Sequence, residues 1–112
     1  MREFKLFLYD IKEAIEKIEI FTKSISLEEF ESDVKTIDAV LRNLEIIGEA
    51  SKSIPKRIRE KHNDIDWKAI IGMRNIIAHE YFGVSLQIVW KTIEERLPEL
   101  KEAIEKIILD NQ

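Results

Sequence analysis

The sequence predicts an all-α fold, an antiparallel helical bundle of about four to five helices, on three observations. Apolar residues recur at alternating steps of three and four through one segment after another, the period of a helix with a buried face. Gly and Pro are scarce, three and two in 112 residues, so few positions interrupt a helix. No segment alternates apolar and polar residues with β-branched enrichment, so no strand is expected.

The first helical face is Phe4, Leu8, Ile11, Ile15 and Ile18. The pattern breaks around Thr22–Ile25. Ser26 and Glu29 then have the spacing of a capping box, and Ile25 and Phe30 that of a hydrophobic staple. The second helix is expected to carry Phe30, Val34, Ile37, Leu41, Leu44 and Gly48 on one face. It should run unbroken to about Lys52, about 40 Å at 1.5 Å per residue. Gly48 lowers helix propensity, which points to close packing against a neighbour. Ser53-Ile54-Pro55 ends this helix and opens a short one through about Lys61. Asp66 is the next cap, with Ile65 and Ile70 in staple register. Its helix contains Trp67, Ile70, Ile71, Arg74 and Ile77. Gly83 marks a turn and Ser85 caps the last stretch, whose stripe is Leu86, Val89, Trp90, Ile93, Leu97, Leu100, Ile104 and Ile107. Pro98 must kink this stretch or begin a new helix. Trp67 and Trp90 lie on apolar stripes and are read as core.

Composition narrows the function. The length fits one domain, residues 1–112. An apolar share of 45% excludes disorder, and the absence of cysteine excludes disulfides, thiolate nucleophiles and Cys-bound zinc or iron–sulfur centres. No apolar run approaches the roughly 20 residues of a membrane span, and Met1-Arg2-Glu3-Phe4-Lys5 lacks a signal-peptide layout, so a cytoplasmic location and no membrane contact are expected. A net charge of −4 argues against bulk non-specific nucleic-acid binding. Lys52, Lys56, Arg57, Arg59, Lys61 and His62 form the densest basic stretch, either a guide for an RNA backbone or a solvated helix face. His62 and His79 lack a patterned carboxylate set, and no Gly-rich phosphate loop exists, so neither metal nor cofactor is expected.

One segment could do chemistry: Gly72-Met73-Arg74-Asn75-Ile76-Ile77-Ala78-His79-Glu80-Tyr81. On an ideal helix Arg74 and His79 lie about 140° apart. Two arrangements bring them together. The helix ends near Ile77 and His79 swings round its C-terminus, or a two-fold partner supplies a second Arg–His set; both can hold at once. A guanidinium binds a phosphate with two donors and stabilises charge in a pentacovalent transition state. An imidazole titrates near neutrality and can move the proton of a ribose 2′-hydroxyl. Attack by that hydroxyl needs no metal. The plainer alternatives are a salt-bridge arginine, a capping histidine and a half-buried tyrosine.

Arg74, His79 and Tyr81 at these spacings, with Asn75 after the arginine, resemble the signature of HepT-type toxins of the HEPN superfamily. The similarity extends to 33–50, to Trp67 and Ile70-Ile71-Gly72-Met73, to Tyr81-Phe82-Gly83-Val84, and to Val89-Trp90 and Leu97-Pro98. The resemblance implies a HEPN-like homodimer whose Arg and His residues line a shared cleft. It implies a ribonuclease, the toxin of a toxin–antitoxin pair, whose partner is a minimal nucleotidyltransferase antitoxin that transfers AMP to the motif tyrosine. Carried over residue by residue, Arg74 and His79 become the catalytic pair, Asn75 orients the phosphate or supports Arg74, and Tyr81 is the modification site. The rival expectation is a non-catalytic helical module serving as substrate or scaffold for such a partner. Asp38 and Arg42 are spaced as an i,i+4 ion pair, and a second role at the dimer cleft is conceivable for them and for Glu45 and Glu49.

Overall fold

In the computed structural model, which describes residues 3–79 and 83–112 and every side chain among them but that of His79, all regular structure is helical. α1 (Phe4–Thr22) buries Leu8, Ile11, Ala14, Ile15 and Ile18, the face its spacing predicts. Ser24 then takes the left-handed conformation, with φ at 63°, and turns the chain out of the helix. α2 (Leu27–Glu31) opens with the expected capping box. Ser26 Oγ accepts from the Glu29 N–H at 3.1 Å, and Glu29 Oε1 accepts from the Ser26 N–H at 2.9 Å.

The long second helix expected from the apolar rhythm is in fact two. α2 stops at Glu31, and α3 spans Val34–Lys52, 19 residues or about 28 Å. Local polar competition causes the break. Ser32 Oγ donates back to the carbonyls of Glu28 and Glu29 at 3.1 and 3.2 Å. Asp33 accepts from the Thr36 N–H at 3.1 Å and from Thr36 Oγ1 at 2.6 Å, making it the N-cap of α3. Val34, assigned by its spacing to the buried stripe, is turned out and 70% exposed.

α3 is the central helix, packed on α1, α2 and α5, and it buries Val40, Leu41, Leu44 and Ile47. α4 (Lys56–Lys61) follows Pro55 as expected. Asp66 caps α5 (Trp67–His79) by accepting from the Ala69 N–H at 3.1 Å, and Trp67 is buried with its Nε1 donating to the His62 carbonyl at 3.1 Å. Ser85 caps α6 (Leu86–Lys91) by accepting from the Ile88 N–H at 3.3 Å. A π-helical turn, Thr92–Arg96, leads into α7 (Leu97–Asp110), with the Leu97 N–H reaching the Thr92 carbonyl. The wider turn places Pro98 in the first turn of α7, where its missing N–H is not needed, so the helical stretch passes the proline without a break.

α7 lies antiparallel to α1. Lys12 sits 3.6 Å from Glu105, while Lys101 sits 3.7 Å from Glu16 and 3.0 Å from Glu19. Phe30 and Trp90, with ring centroids 5.2 Å apart, join α2 to α6. The expected count of four to five helices corresponds to α1, α3, α5 and the α6–α7 stretch, with α2 and α4 as short connectors. No described helix is long and apolar enough to cross a membrane.

Candidate active site

Arg74 is built into the packed side of α5. It lies four residues after Ile70 and three before the buried Ile77, so it shares their helix face. That face meets α3 at Gly48. A Cβ on Gly48 would lie 2.5 Å from Arg74 Cβ, 3.0 Å from the Ile70 carbonyl oxygen and 3.2 Å from the Arg74 nitrogen. Only a residue without a side chain allows this approach, so Gly48 fixes the origin of the Arg74 side chain. The expectation of close packing at Gly48 is met. Its neighbour is the helix that carries the candidate motif, which the pattern alone did not identify.

The guanidinium is braced on two sides. Its buried Nε lies 2.9 Å from Glu49 Oε2, with the carboxylate off the N–H axis, a charge contact rather than an aligned hydrogen bond. Its Nη1 donates to Asn75 Oδ1 at 3.2 Å. The Arg74 side chain is 34% exposed, so the group is anchored and still reachable from solvent. Asn75, expected either to orient the phosphate or to support Arg74, is joined to Arg74 by this bond. Glu49 was noted in the sequence only as a possible cleft residue. Its pairing with Arg74 could have been sought from its place beside Gly48.

Arg74 opens onto a groove of about 290 Å³, lined by Phe7 and Asp10 of α1, Arg42, Glu45 and Glu49 of α3, and Arg74 itself. Two guanidiniums therefore face three carboxylates, Asp10, Glu45 and Glu49. A groove of mixed charge binds an anionic polymer only through directed contacts, since the net field is weak.

The helical backbone of α5 continues through His79. It does not end near Ile77, the first of the two arrangements that would gather the motif. Positions 74 and 79 thus keep the separation of about 140° that a regular helix imposes. The His79 side chain and all of Tyr81, the expected modification site, lie outside the described residues. Among the described residues, no group of three or more His, Cys, Asp or Glu could hold a metal ion.

The basic stretch is divided between surface and structure. Lys52, Lys56, Arg57 and Lys61 are exposed, whereas Arg59 Nε donates to the Ile54 carbonyl at 3.1 Å. The Arg57 guanidinium lies 5.4 Å from the Phe4 ring centroid, and Lys56 sits 3.9 Å from Glu60.

Residues 11–107 match the family described as ribonuclease HepT-like. A probable ribonuclease HepT of Thermococcus cleftensis is 49% identical over 106 residues, covering 95% of this chain and 96% of that protein. Two candidate RNases of Methanocaldococcus jannaschii are 49% and 48% identical over 109 residues, covering 97% of this chain and 90% and 94% of theirs. No solved structure matches. With a family match over most of its length and relatives near half identical, the chain belongs to the HepT-like ribonuclease family.

Proposed function

We propose that this HepT-like ribonuclease cuts RNA without a metal, by attack of a ribose 2′-hydroxyl on the adjacent phosphorus. The 2′-oxygen forms a bond to phosphorus as the bond to the 5′-oxygen breaks. The products are a 2′,3′-cyclic phosphate and a 5′-hydroxyl. Arg74 holds the non-bridging oxygens and offsets the charge that builds on them. His79 handles the protons, one leaving the 2′-hydroxyl and one arriving at the departing 5′-oxygen. Asn75 steadies Arg74.

The observation that carries this reading is the anchoring of Arg74: a cation set on a packed helix face, held by Gly48 and Glu49 and open to a groove. Because a regular helix turns positions 74 and 79 apart, the site is completed by a second copy of the chain, a homodimer in which the Arg74 of one copy meets the His79 of the other. The named ribonuclease relatives support RNA as the substrate. Tyr81, two residues beyond His79, is the off-switch, modified with AMP by a minimal nucleotidyltransferase antitoxin in the cytoplasm. An added phosphate there excludes RNA by occupancy and by like charge.

Total RNA incubated with purified protein in excess chelator tests the chemistry. Wild type is expected to produce fragments ending in 2′,3′-cyclic phosphate, and correctly folded Arg74→Ala and His79→Ala to produce none. Cleavage by either variant at the wild-type rate removes the residue concerned from the mechanism. The second reading, a non-catalytic module acting as substrate for the nucleotidyltransferase, is favoured by the net charge of −4 and the carboxylates in the groove. It is supported if wild type leaves RNA intact and yet gains AMP on Tyr81 when co-expressed with the partner.

A further inference from the structure

We infer that Glu49 is a positioning residue for the reaction, holding Arg74 so that its terminal nitrogens face the scissile phosphate; the inference rests on the ribonuclease reading above. A guanidinium has five N–H bonds and two edges that can grip a phosphate with paired donors: one formed by Nε and one Nη, the other by both Nη groups. Glu49 Oε2 stands 2.9 Å from Nε on the first, and Asn75 Oδ1 takes one hydrogen bond from Nη1 at 3.2 Å, a nitrogen that carries two N–H bonds. Paired binding of a phosphate on the Nε edge therefore requires Glu49 to give way, whereas on the Nη edge at most the Asn75 amide must move.

The two partners are not equal. Glu49 is charged, and it follows Gly48, the point where α3 and α5 touch most closely. The Nε it faces is itself buried. Withdrawing that carboxylate leaves a buried N–H with neither a counter-charge nor water. Asn75 is neutral, exposed and joined to Arg74 by a single ordinary hydrogen bond, so its amide is the cheaper to displace. The edge that opens to RNA is thus the Nη edge. Glu49 stays on Nε, sets the rotation of the guanidinium plane and directs both Nη groups into the groove that Glu49 and Arg74 share. Glu49 touches neither substrate nor reacting atoms. It acts through Arg74.

The test is single-turnover cleavage of total RNA by Glu49→Ala, Glu49→Gln and wild type, over a range of enzyme concentrations, with a melting curve for each. The Glu49 side chain is 59% exposed, so the variants should stay folded, with Glu49→Ala melting somewhat below wild type because the buried Nε–H loses its counter-charge. A misdirected guanidinium lowers the maximal rate of Glu49→Ala by about ten- to a hundredfold, the usual effect of a displacement near 1 Å, while the half-saturating concentration hardly changes. Glu49→Gln, which keeps the shape beside Nε but not the charge, recovers only a minor part of that loss. A wild-type maximal rate in Glu49→Ala overturns the inference. So does tighter binding with a raised rate, the mark of a carboxylate that merely competes with RNA for Arg74. Arg74→Ala separates the two claims. If it is inactive while Glu49→Ala is normal, only the role of Glu49 falls; if Arg74→Ala cleaves, the ribonuclease mechanism falls with it.

Discussion

Gly48→Ala probes the contact that sets Arg74 in place. Carbon atoms rest about 3.5–4.0 Å apart, and the added methyl would find Arg74 Cβ at 2.5 Å, so α5 must move from α3 by about 1 Å or more. Rotation of a side chain cannot relieve the clash, because the other two neighbours are the Ile70 carbonyl oxygen and the Arg74 nitrogen, both backbone. Overpacking of this kind costs about 1–3 kcal/mol, and the better helix propensity of alanine returns about 1 kcal/mol. The net loss is about 0–2 kcal/mol, a fall in melting temperature of at most about 10 °C for a chain of this size. The effect on catalysis is larger, since a shift near 1 Å in a reacting group costs about a hundredfold. Thermal melting monitored by circular dichroism, paired with RNA cleavage at 25 °C, should show a folded protein that is nearly inactive. A folded variant cleaving at the wild-type rate refutes the claim that this helix contact positions Arg74.

Gly72→Ala is the control for that experiment. Nothing lies within 4 Å of a Cβ at this position in α5, so alanine should add up to about 1 kcal/mol through helix propensity and raise the melting temperature; a lower melting temperature would show an obstruction there. The Asp33 cap should titrate. Hydrogen bonds from the Thr36 hydroxyl and N–H hold its carboxyl below the usual carboxylate value. A folded pKa below the unfolded one means that the charge stabilises the fold fully above about pH 4 and loses its effect as pH falls through the native value. Urea melts of wild type and Asp33→Ala should therefore differ clearly at pH 7 and converge in acid, and a constant gap would contradict the assignment.

The local signals were readable because their hydrogen bonds span three residues. Ser26 with Glu29, Asp66 with Ala69, and Ser85 with Ile88 each form the cap their spacing announces. The break at Ser32-Asp33 was missed because the apolar rhythm runs straight across it, while two short polar side chains offer the backbone other partners. Gly48 signalled a close approach but not its partner, since a helix pattern describes one face and not what lies against it. The Glu49–Arg74 pair was missed for the same reason: it joins α3 to α5, and only the place of Glu49 beside Gly48 hinted at a partner. The motif from Arg74 to Tyr81 is plain as a string of residue types. Its convergence is not, because a regular helix directs positions 74 and 79 apart and the remedy we propose lies in a second molecule.

Mixing tests that remedy most directly. Arg74→Ala and His79→Ala proteins, each inactive alone, are combined under conditions that exchange subunits, and RNA cleavage is measured in chelator. A hybrid pair joins the intact Arg74 of one copy to the intact His79 of the other, so cleavage should return. If exchange is verified and the mixture remains as inactive as its parents, the two residues do not meet across copies, and the account of the site is wrong.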